Sequence, residues 1–210
     1  MIDLDEIHGC ALLRVAILLA TLAMLPIVCF GQSNDSEIER QLVAAAIERT
    51  HHQVRYDGTY RIIDYPNGDV PGTLGVCTDL VIRSYRKIGI DLQQLVHEDM
   101  RRNFALYPQH WGLQHPDSNI DHRRVPNLQV FFRRHGETLP RDLNPLSYQP
   151  GDIVTWMLPG NLPHIGIVIS EFAKNSTHRL VAHNIGRGPQ IEDMLFDHAI
   201  TGHYRYDGLH

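Results

Sequence analysis

Three cysteines occur in the 210 residues of the chain, and Cys77 is the only one outside an apolar N-terminal run and its approach. Proteins of oxidising compartments use cysteines in pairs, so a single one beyond Cys10 and Cys29 lacks an internal disulfide partner. Cys77 lies at the predicted start of a helix, where unpaired N–H groups and the helix dipole favour an anion. A thiolate there would have a lowered pKa. We therefore interpret Cys77 as a nucleophile; the alternative is a buried core cysteine.

A thiol nucleophile needs a base within hydrogen-bond reach and a third group that orients the base. His164 is the candidate base, because it begins an apolar stretch directly after a loop that contains Pro and Gly. His183 ends the next apolar stretch, and two adjacent antiparallel strands would place it beside His164. Asn184 is the alternative orienter, since an amide oxygen can also accept from an imidazole N–H.

The elements that must hold these residues change in type along the chain. Apolar residues at helical spacing predict helices over about residues 36–52, 77–88, 92–106 and 126–134. Beyond Pro140, apolar and β-branched segments predict strands, which are listed here by number: 152–157, 164–170, 179–183 and 202–206. Helices first and strands later indicate an α+β fold, with N-terminal helices packed on an antiparallel sheet.

The first 31 residues predict an export segment. Residues 11–30 are almost continuously apolar and precede a polar stretch that begins at Gln32. This pattern is typical of a secretory signal, although acidic residues replace the usual positive charge before the apolar run. The run is also about long enough to span a bilayer. We predict that residues 1–31 are a signal peptide or, if uncleaved, an anchor in the inner membrane. Residues 32–210 would form one domain, periplasmic or secreted.

Charge and histidine spacing bear on the partners. The formal net charge is −5 at pH 7, and it becomes −3 without residues 1–31. A nucleic-acid-binding protein would need a basic face, so we expect no nucleic acid as a partner. The chain has 14 histidines, but His97-Glu98 lacks the second histidine of a zinc-protease helix. The sequence therefore predicts no metal. We also expect that the protein needs no cofactor and is a monomer.

Several segments resemble those of NlpC-type cell-wall cysteine peptidases. The segment from Gly75 to Ile90 resembles their nucleophile helix. Pro150-Gly-Asp-Ile-Val-Thr-Trp156 and His164-Ile-Gly-Ile-Val168 resemble their Pro-Gly-Asp strand and base-bearing strand, and His183 falls where they place a third polar residue. The matches cover roughly residues 70–185 in the right order. They imply a papain-like fold, a Cys-His-His site and peptidoglycan stem peptide as the substrate.

The rest of the chain resembles a narrower bacterial family, the domain of unknown function 1287. The matching stretches are Tyr65-Pro-Asn-Gly-Asp-Val-Pro71, Val96-His-Glu-Asp-Met100, Asn119-Ile-Asp-His-Arg-Arg-Val-Pro-Asn127, His183-Asn-Ile-Gly186 and Gly202-His-Tyr-Arg205. This resemblance spans most of the chain after the export segment and also implies a papain-like fold.

The two residues after the nucleophile depart from the NlpC pattern. The residues after the nucleophile are Thr78-Asp79 here, where those enzymes usually have Ser-Gly. A carboxylate two residues after the nucleophile opposes thiolate formation, unless it points away or pairs with a cation.

Two further sets of residues are candidates for substrate binding. His122, Arg123 and Arg124 lie on the irregular segment 108–126. An arginine fork binds a carboxylate through two hydrogen bonds, and wall peptides carry free carboxylates. The alternative is a structural ion-pair network with nearby aspartates.

Tyrosines before the nucleophile form the second set. The NlpC-type resemblance implies that a tyrosine from such a segment donates a hydrogen bond to the reacting oxyanion. Tyr65 is our candidate, with Tyr56 and Tyr60 as alternatives and core packing as the other interpretation of each. Trp111 and Trp156 are expected to pack rather than to bind a ligand.

These observations predict an exported cysteine hydrolase that cleaves amide bonds in peptidoglycan stem peptides. Cys77 would attack the carbonyl, and His164, oriented by His183, would carry the thiol proton to the leaving amine. The alternatives are a catalytically silent periplasmic binding module and a papain-like toxin or acyltransferase.

Overall fold

Four α-helices occur in the part of the chain that the computed structural model describes, residues 34–208. They are α1 (Asn34–Arg49), α2 (Cys77–Lys87), α3 (Leu92–Asn103) and α4 (Val125–His135). None of these described helices is long and apolar enough to cross a membrane. The predicted export segment, residues 1–31, lies outside the described residues.

The strands form one large sheet and one small sheet. The small sheet pairs β1 (Arg55–Tyr56) with β2 (Leu74–Gly75) in parallel. The strands of the large sheet are β3 (Glu137–Thr138), β4 (Ile153–Leu158), β5 (Leu162–Phe172), β6 (Arg179–Asn184), β7 (Pro189–Glu192) and β8 (Ala199–Arg205). Their order is β3-β8-β4-β5-β6-β7, and every neighbouring pair is antiparallel. The predicted α+β class is therefore confirmed.

Local sequence explains where α2 begins and ends. The Asp79 carboxylate accepts a hydrogen bond from the backbone N–H of Val76, at 2.6 Å, and this bond stabilises the first turn. The helix ends at Lys87, and Gly89 follows with φ of 87°, a left-handed conformation that costs glycine little. The first turn of α2 is thus fixed at the residue that carries the thiol.

Strand β5 is central and buried on both faces. The side chains of Ile165 and Ile167 point to the layer formed by the helices, in one core cluster with Cys77. Val168 belongs to a second cluster with Trp156, on the other face of the sheet. Full burial of such an apolar side chain contributes about 2 kcal/mol. This double burial makes β5 a rigid support for His164.

Candidate functional site

Cys77 is the first residue of α2 and lies at the floor of a cleft of about 480 Å³. Its residue surface is only 4% exposed. The cleft walls come from the segment before α2, from the irregular segment before α4, from the first turn of α4 and from the start of β5. They are formed by Tyr56, Gly58, Tyr60, Val76, Trp111, Ile120, Arg123, Arg124, Val125, Pro126 and Pro163. A substrate group that entered this cleft would therefore meet the thiol at its base.

Burial raises the pKa of the Cys77 thiol to about 11. The backbone N–H groups of Ile165 and Thr78 and the hydroxyl of Tyr56 act in the opposite direction, while the charge of Asp79 adds to the effect of burial. This corrects the expectation of a lowered pKa. The start of the helix does present N–H groups to the sulfur, but desolvation of the thiolate outweighs them.

The structure brings His164 and His183 together. Strands β5 and β6 pair with Gly166 opposite His183, and Nε2 of His164 lies 3.0 Å from Nδ1 of His183. Both residues are almost fully buried. Burial, and then the neighbouring His183, lower the pKa of His164 to about 3. The ring of His164 is therefore neutral at pH 7, with Nε2 engaged by His183.

A glycine allows the two histidine strands to approach. A Cβ atom on Gly166 would lie 2.7 Å from Cγ1 of Val181 and 3.1 Å from Cβ of His183. The first of these separations is shorter than real side chains tolerate, so any larger residue would push β6 away. Gly166 therefore sets the distance between His164 and His183.

Asn184, the alternative orienter, has a different contact. Its side-chain oxygen accepts a hydrogen bond from the backbone N–H of Gly186, at 3.2 Å. It thus stabilises the turn after β6, and His183 is the residue beside the candidate base.

The Cys77 thiol and the His164 ring are associated with consecutive residues of β5 but with different faces of the sheet. The backbone N–H that acts on the Cys77 sulfur belongs to Ile165, the residue after His164. Pro163, the residue before His164, lines the same cleft as Cys77. The imidazole leaves the strand on the face of Trp156, whose ring centroid is 5.9 Å away. Because Nε2 faces His183, Nδ1 is the other ring nitrogen of His164 that can accept a proton.

Asp79 is paired with a cation. Arg123 contacts both carboxylate oxygens, with Nε 2.9 Å from Oδ1 and Nη2 2.9 Å from Oδ2. Both side chains are almost fully buried. The arginine of the irregular segment therefore neutralises the carboxylate that departs from the NlpC pattern. The partner is 44 residues away along the chain and is not an aspartate of the arginine's own segment.

The other members of the arginine segment have separate environments. His122 is 2% exposed and is not among the residues that line the cleft, so the structure does not support it as a substrate-binding residue. Arg124 does line the cleft, with its guanidinium carbon 4.1 Å from the centroid of the Trp111 ring. Nη1 of Arg124 lies 3.6 Å from Oδ1 of Asp121 and has no hydrogen-bond partner. Trp111 is therefore part of the cleft wall, whereas Trp156 is fully buried as predicted.

The structure places a different tyrosine beside the thiol from the one that sequence analysis favoured. Tyr65 packs its ring edge-on against His97, with centroids 5.1 Å apart, and does not line the cleft. Tyr56 lines the cleft, and its hydroxyl acts on the Cys77 thiol. Burial raises the pKa of Tyr56 to about 12, so its hydroxyl remains a hydrogen-bond donor. The choice of Tyr65 was therefore wrong, because sequence order does not show which tyrosine the chain turns toward the helix.

One residue near the histidines was missed altogether. Oε2 of Glu192 lies 2.9 Å from Nε2 of His183. Glu192 is on β7, a strand that the sequence analysis did not predict because it is short and begins with proline. The turn residues Gly186 and Gly188 directly before residues 189–192 are the sequence feature that could have indicated this strand.

Among residues 34–208, no three His, Cys, Asp or Glu side chains are grouped closely enough to hold a metal ion. The polar side-chain groups that line the cleft are the Cys77 thiol, the hydroxyls of Tyr56 and Tyr60 and the guanidinium groups of Arg123 and Arg124.

Comparisons with known proteins give relatives of two kinds. The chain is 58% identical over 151 residues to the uncharacterized protein YijF of Escherichia coli (strain K12), and this covers 72% of the chain and 73% of that protein. A crystal structure of an N-acetylmuramoyl-L-alanine amidase from Bacteroides uniformis is similar at a TM-score of 0.45 and 15% identity, over 80% of this chain and 97% of that one. The model of the family described as "Domain of unknown function (DUF1287)" matches residues 43–206. The chain belongs to the DUF1287 family.

Proposed function

We propose that this protein is a papain-like, NlpC-type cysteine hydrolase that cleaves amide bonds in peptidoglycan stem peptides outside the cytoplasm. One observation carries the proposal. The thiol of Cys77 lies at the base of a cleft and against the peptide that joins His164 to Ile165, while His183 engages the far nitrogen of His164.

The reaction begins with a neutral pair, because burial keeps Cys77 protonated and His164 unprotonated near pH 7. His164 takes the thiol proton through Nδ1 as the sulfur attacks the amide carbonyl. The Tyr56 hydroxyl and the N–H groups of Ile165 and Thr78 face the sulfur and are the donors nearest to the developing oxyanion. His164 then gives the proton to the leaving amine, and water releases the acyl group from the sulfur.

The cleft supports a substrate with a free carboxylate. Arg124 lines the cleft with its guanidinium carbon 4.1 Å from the centroid of the Trp111 ring, while its buried Nη1 lies 3.6 Å from Oδ1 of Asp121. An arginine so placed binds a carboxylate more readily than it binds a neutral group. Stem peptides of peptidoglycan carry such carboxylates beside their amide bonds.

Digestion of purified peptidoglycan tests the proposal, with the released products identified by mass spectrometry. The full-length protein should release peptide fragments, and the variants Cys77→Ala and His164→Ala should release none while keeping the circular dichroism of the fold. His178→Ala is the matched control, because His178 contacts Ser176 and Asp193 away from the cleft. Full activity of Cys77→Ala would show that the protein is not the proposed cysteine hydrolase.

A silent binding module is the second candidate, and the burial and raised pKa of Cys77 favour it. In that case the protein should sediment with insoluble peptidoglycan and release no products. Cys77→Ala would then sediment equally well, whereas Arg124→Gln would sediment less.

A further inference from the structure

Strands β6 and β7 place Glu192 next to His183. In their register, His183 lies opposite Gln190 and Val181 lies opposite Glu192. Residues two apart in a strand share a face, so Glu192 is on the same face as Gln190 and His183. The two ring nitrogens of His183 thus have separate partners: Nδ1 is 3.0 Å from His164, and Nε2 is 2.9 Å from Glu192.

We propose that Glu192 is a positioning residue that sets the tautomer of His183 and, through it, the tautomer of the base His164. This inference rests on the proposed function. It adds to that site a carboxylate from an element that lies outside the cleft.

Glu192, His183 and His164 form a row in which each neighbouring pair needs one donor and one acceptor. An ionised carboxylate only accepts hydrogen bonds, so a carboxylate oxygen 2.9 Å from Nε2 of His183 favours the tautomer with the hydrogen on Nε2. A neutral imidazole has one N–H, which leaves Nδ1 of His183 as an acceptor. Nε2 of His164 must then be the donor to it. The lone pair of His164 therefore remains on Nδ1, the nitrogen that is available for the thiol proton.

Burial of His164 and His183 favours neutral rings, with the negative charge on the more exposed Glu192. His164 and His183 are almost completely buried, whereas the Glu192 side chain is 41% exposed. A hydrated carboxylate keeps its charge at little cost, while a buried imidazolium is costly. Nε2 of His183 and the Glu192 oxygen lie 2.9 Å apart without the alignment of a hydrogen bond.

The other titratable groups near the row are few. His198, in the segment after β7, acts electrostatically on His164. His183 is influenced by Glu192, which opposes the lowering of its pKa by burial. Glu192 is therefore a carboxylate that acts on His183 directly, and on His164 only through His183.

The test compares Glu192→Ala and Glu192→Gln with the wild-type full-length protein, in two measurements. Long-range proton–nitrogen NMR of the imidazoles should show His183 as the Nε2–H tautomer in the wild type, and a changed population in Glu192→Ala. Steady-state kinetics should show kcat lowered about tenfold in Glu192→Ala, which is the loss of one charge-assisted hydrogen bond, with KM unchanged. Glu192→Gln keeps an accepting oxygen and should fall between the two.

Glu171→Ala, an exposed glutamate on β5, is the matched control and should change neither measurement. A wild-type tautomer and an unchanged kcat in Glu192→Ala would overturn the inference, as would an equal loss of activity in Glu171→Ala. If Cys77→Ala is as active as the wild type, the proposed hydrolase fails, and the NMR measurement still decides whether Glu192 sets the tautomer.

Discussion

Arg123 holds both carboxylate oxygens of Asp79 at 2.9 Å, inside the first turn of the helix that carries Cys77. The same carboxylate accepts from the backbone N–H of Val76. One acidic residue therefore joins the start of α2 to the irregular segment before α4. Without its arginine, Asp79 would be an unpaired charge within the core.

The first prediction concerns this ion pair. Arg123→Gln should lower the free energy of unfolding by about 3–5 kcal/mol, because it leaves a buried carboxylate unpaired. The double variant Asp79→Asn with Arg123→Gln should lose less than the sum of the two single losses. Urea denaturation measures both effects. Arg102→Gln, at an exposed arginine 4.0 Å from Glu98, is the control and should lose less than about 1 kcal/mol. Equal stability of the two single arginine variants would contradict the prediction.

The second prediction concerns the protonation of Cys77. Its pKa of about 11 predicts that the rate of alkylation by iodoacetamide continues to rise with pH up to about that value. An ordinary thiol would level off above about 8.5. Mass spectrometry of digested protein separates Cys77 from the two N-terminal cysteines. Tyr56→Phe removes a donor to the thiol and should slow labelling further at any fixed pH, whereas Tyr60→Phe should not. A plateau below pH 8 would show that the thiol is activated before substrate binds.

The third prediction concerns acid stability. Burial, and then Arg123, lower the pKa of His122 to about 3, below the ordinary value of about 6.5. Between these values the unfolded chain binds more protons, so the free energy of unfolding falls as the pH is lowered from about 6.5. At pH 5 the loss from His122 is about 2 kcal/mol. His122→Asn should therefore flatten this part of the curve, and His110→Asn, at an exposed histidine, should not. Denaturation at a series of pH values would show the prediction wrong if all three curves were parallel.

The fourth prediction concerns the substrate. Arg124→Gln should raise KM about tenfold for a peptide with a free carboxylate and leave kcat unchanged, since a hydrogen bond to a charged group contributes about 1.5 kcal/mol. The same peptide with that carboxylate amidated should be cleaved equally well by both proteins. A uniform loss on both peptides would instead assign Arg124 a structural role.

Much of the architecture was predictable because its signals are local. The apolar periodicity of residues 77–88 and the glycine at Gly89 predicted α2 to within one residue of its observed end. The apolar stretch from His164 predicted the core of β5, and the sheet order then brought His183 beside it.

The remainder depends on contacts between distant parts of the chain. No spacing rule indicates that Arg123 would turn toward Asp79, or that Tyr56 rather than Tyr65 would face the thiol. The raised pKa of Cys77 likewise depends on how tightly β5 closes over the start of α2, which is a property of packing. Glu192 was missed because a four-residue strand that begins with proline has too little pattern of its own.

In the irregular segment, the residue that attaches it to α2 is different from the residues that shape the cleft. The pairing with Asp79 holds the segment at one point, while Trp111 and Arg124 form the cleft wall on either side of it along the chain. Members of the family could therefore exchange wall residues, and with them the shape of the bound molecule, without disturbing the helix that bears the sulfur. Sequence variation among such proteins should therefore be greater at Trp111 and Arg124 than at the paired residues Arg123 and Asp79.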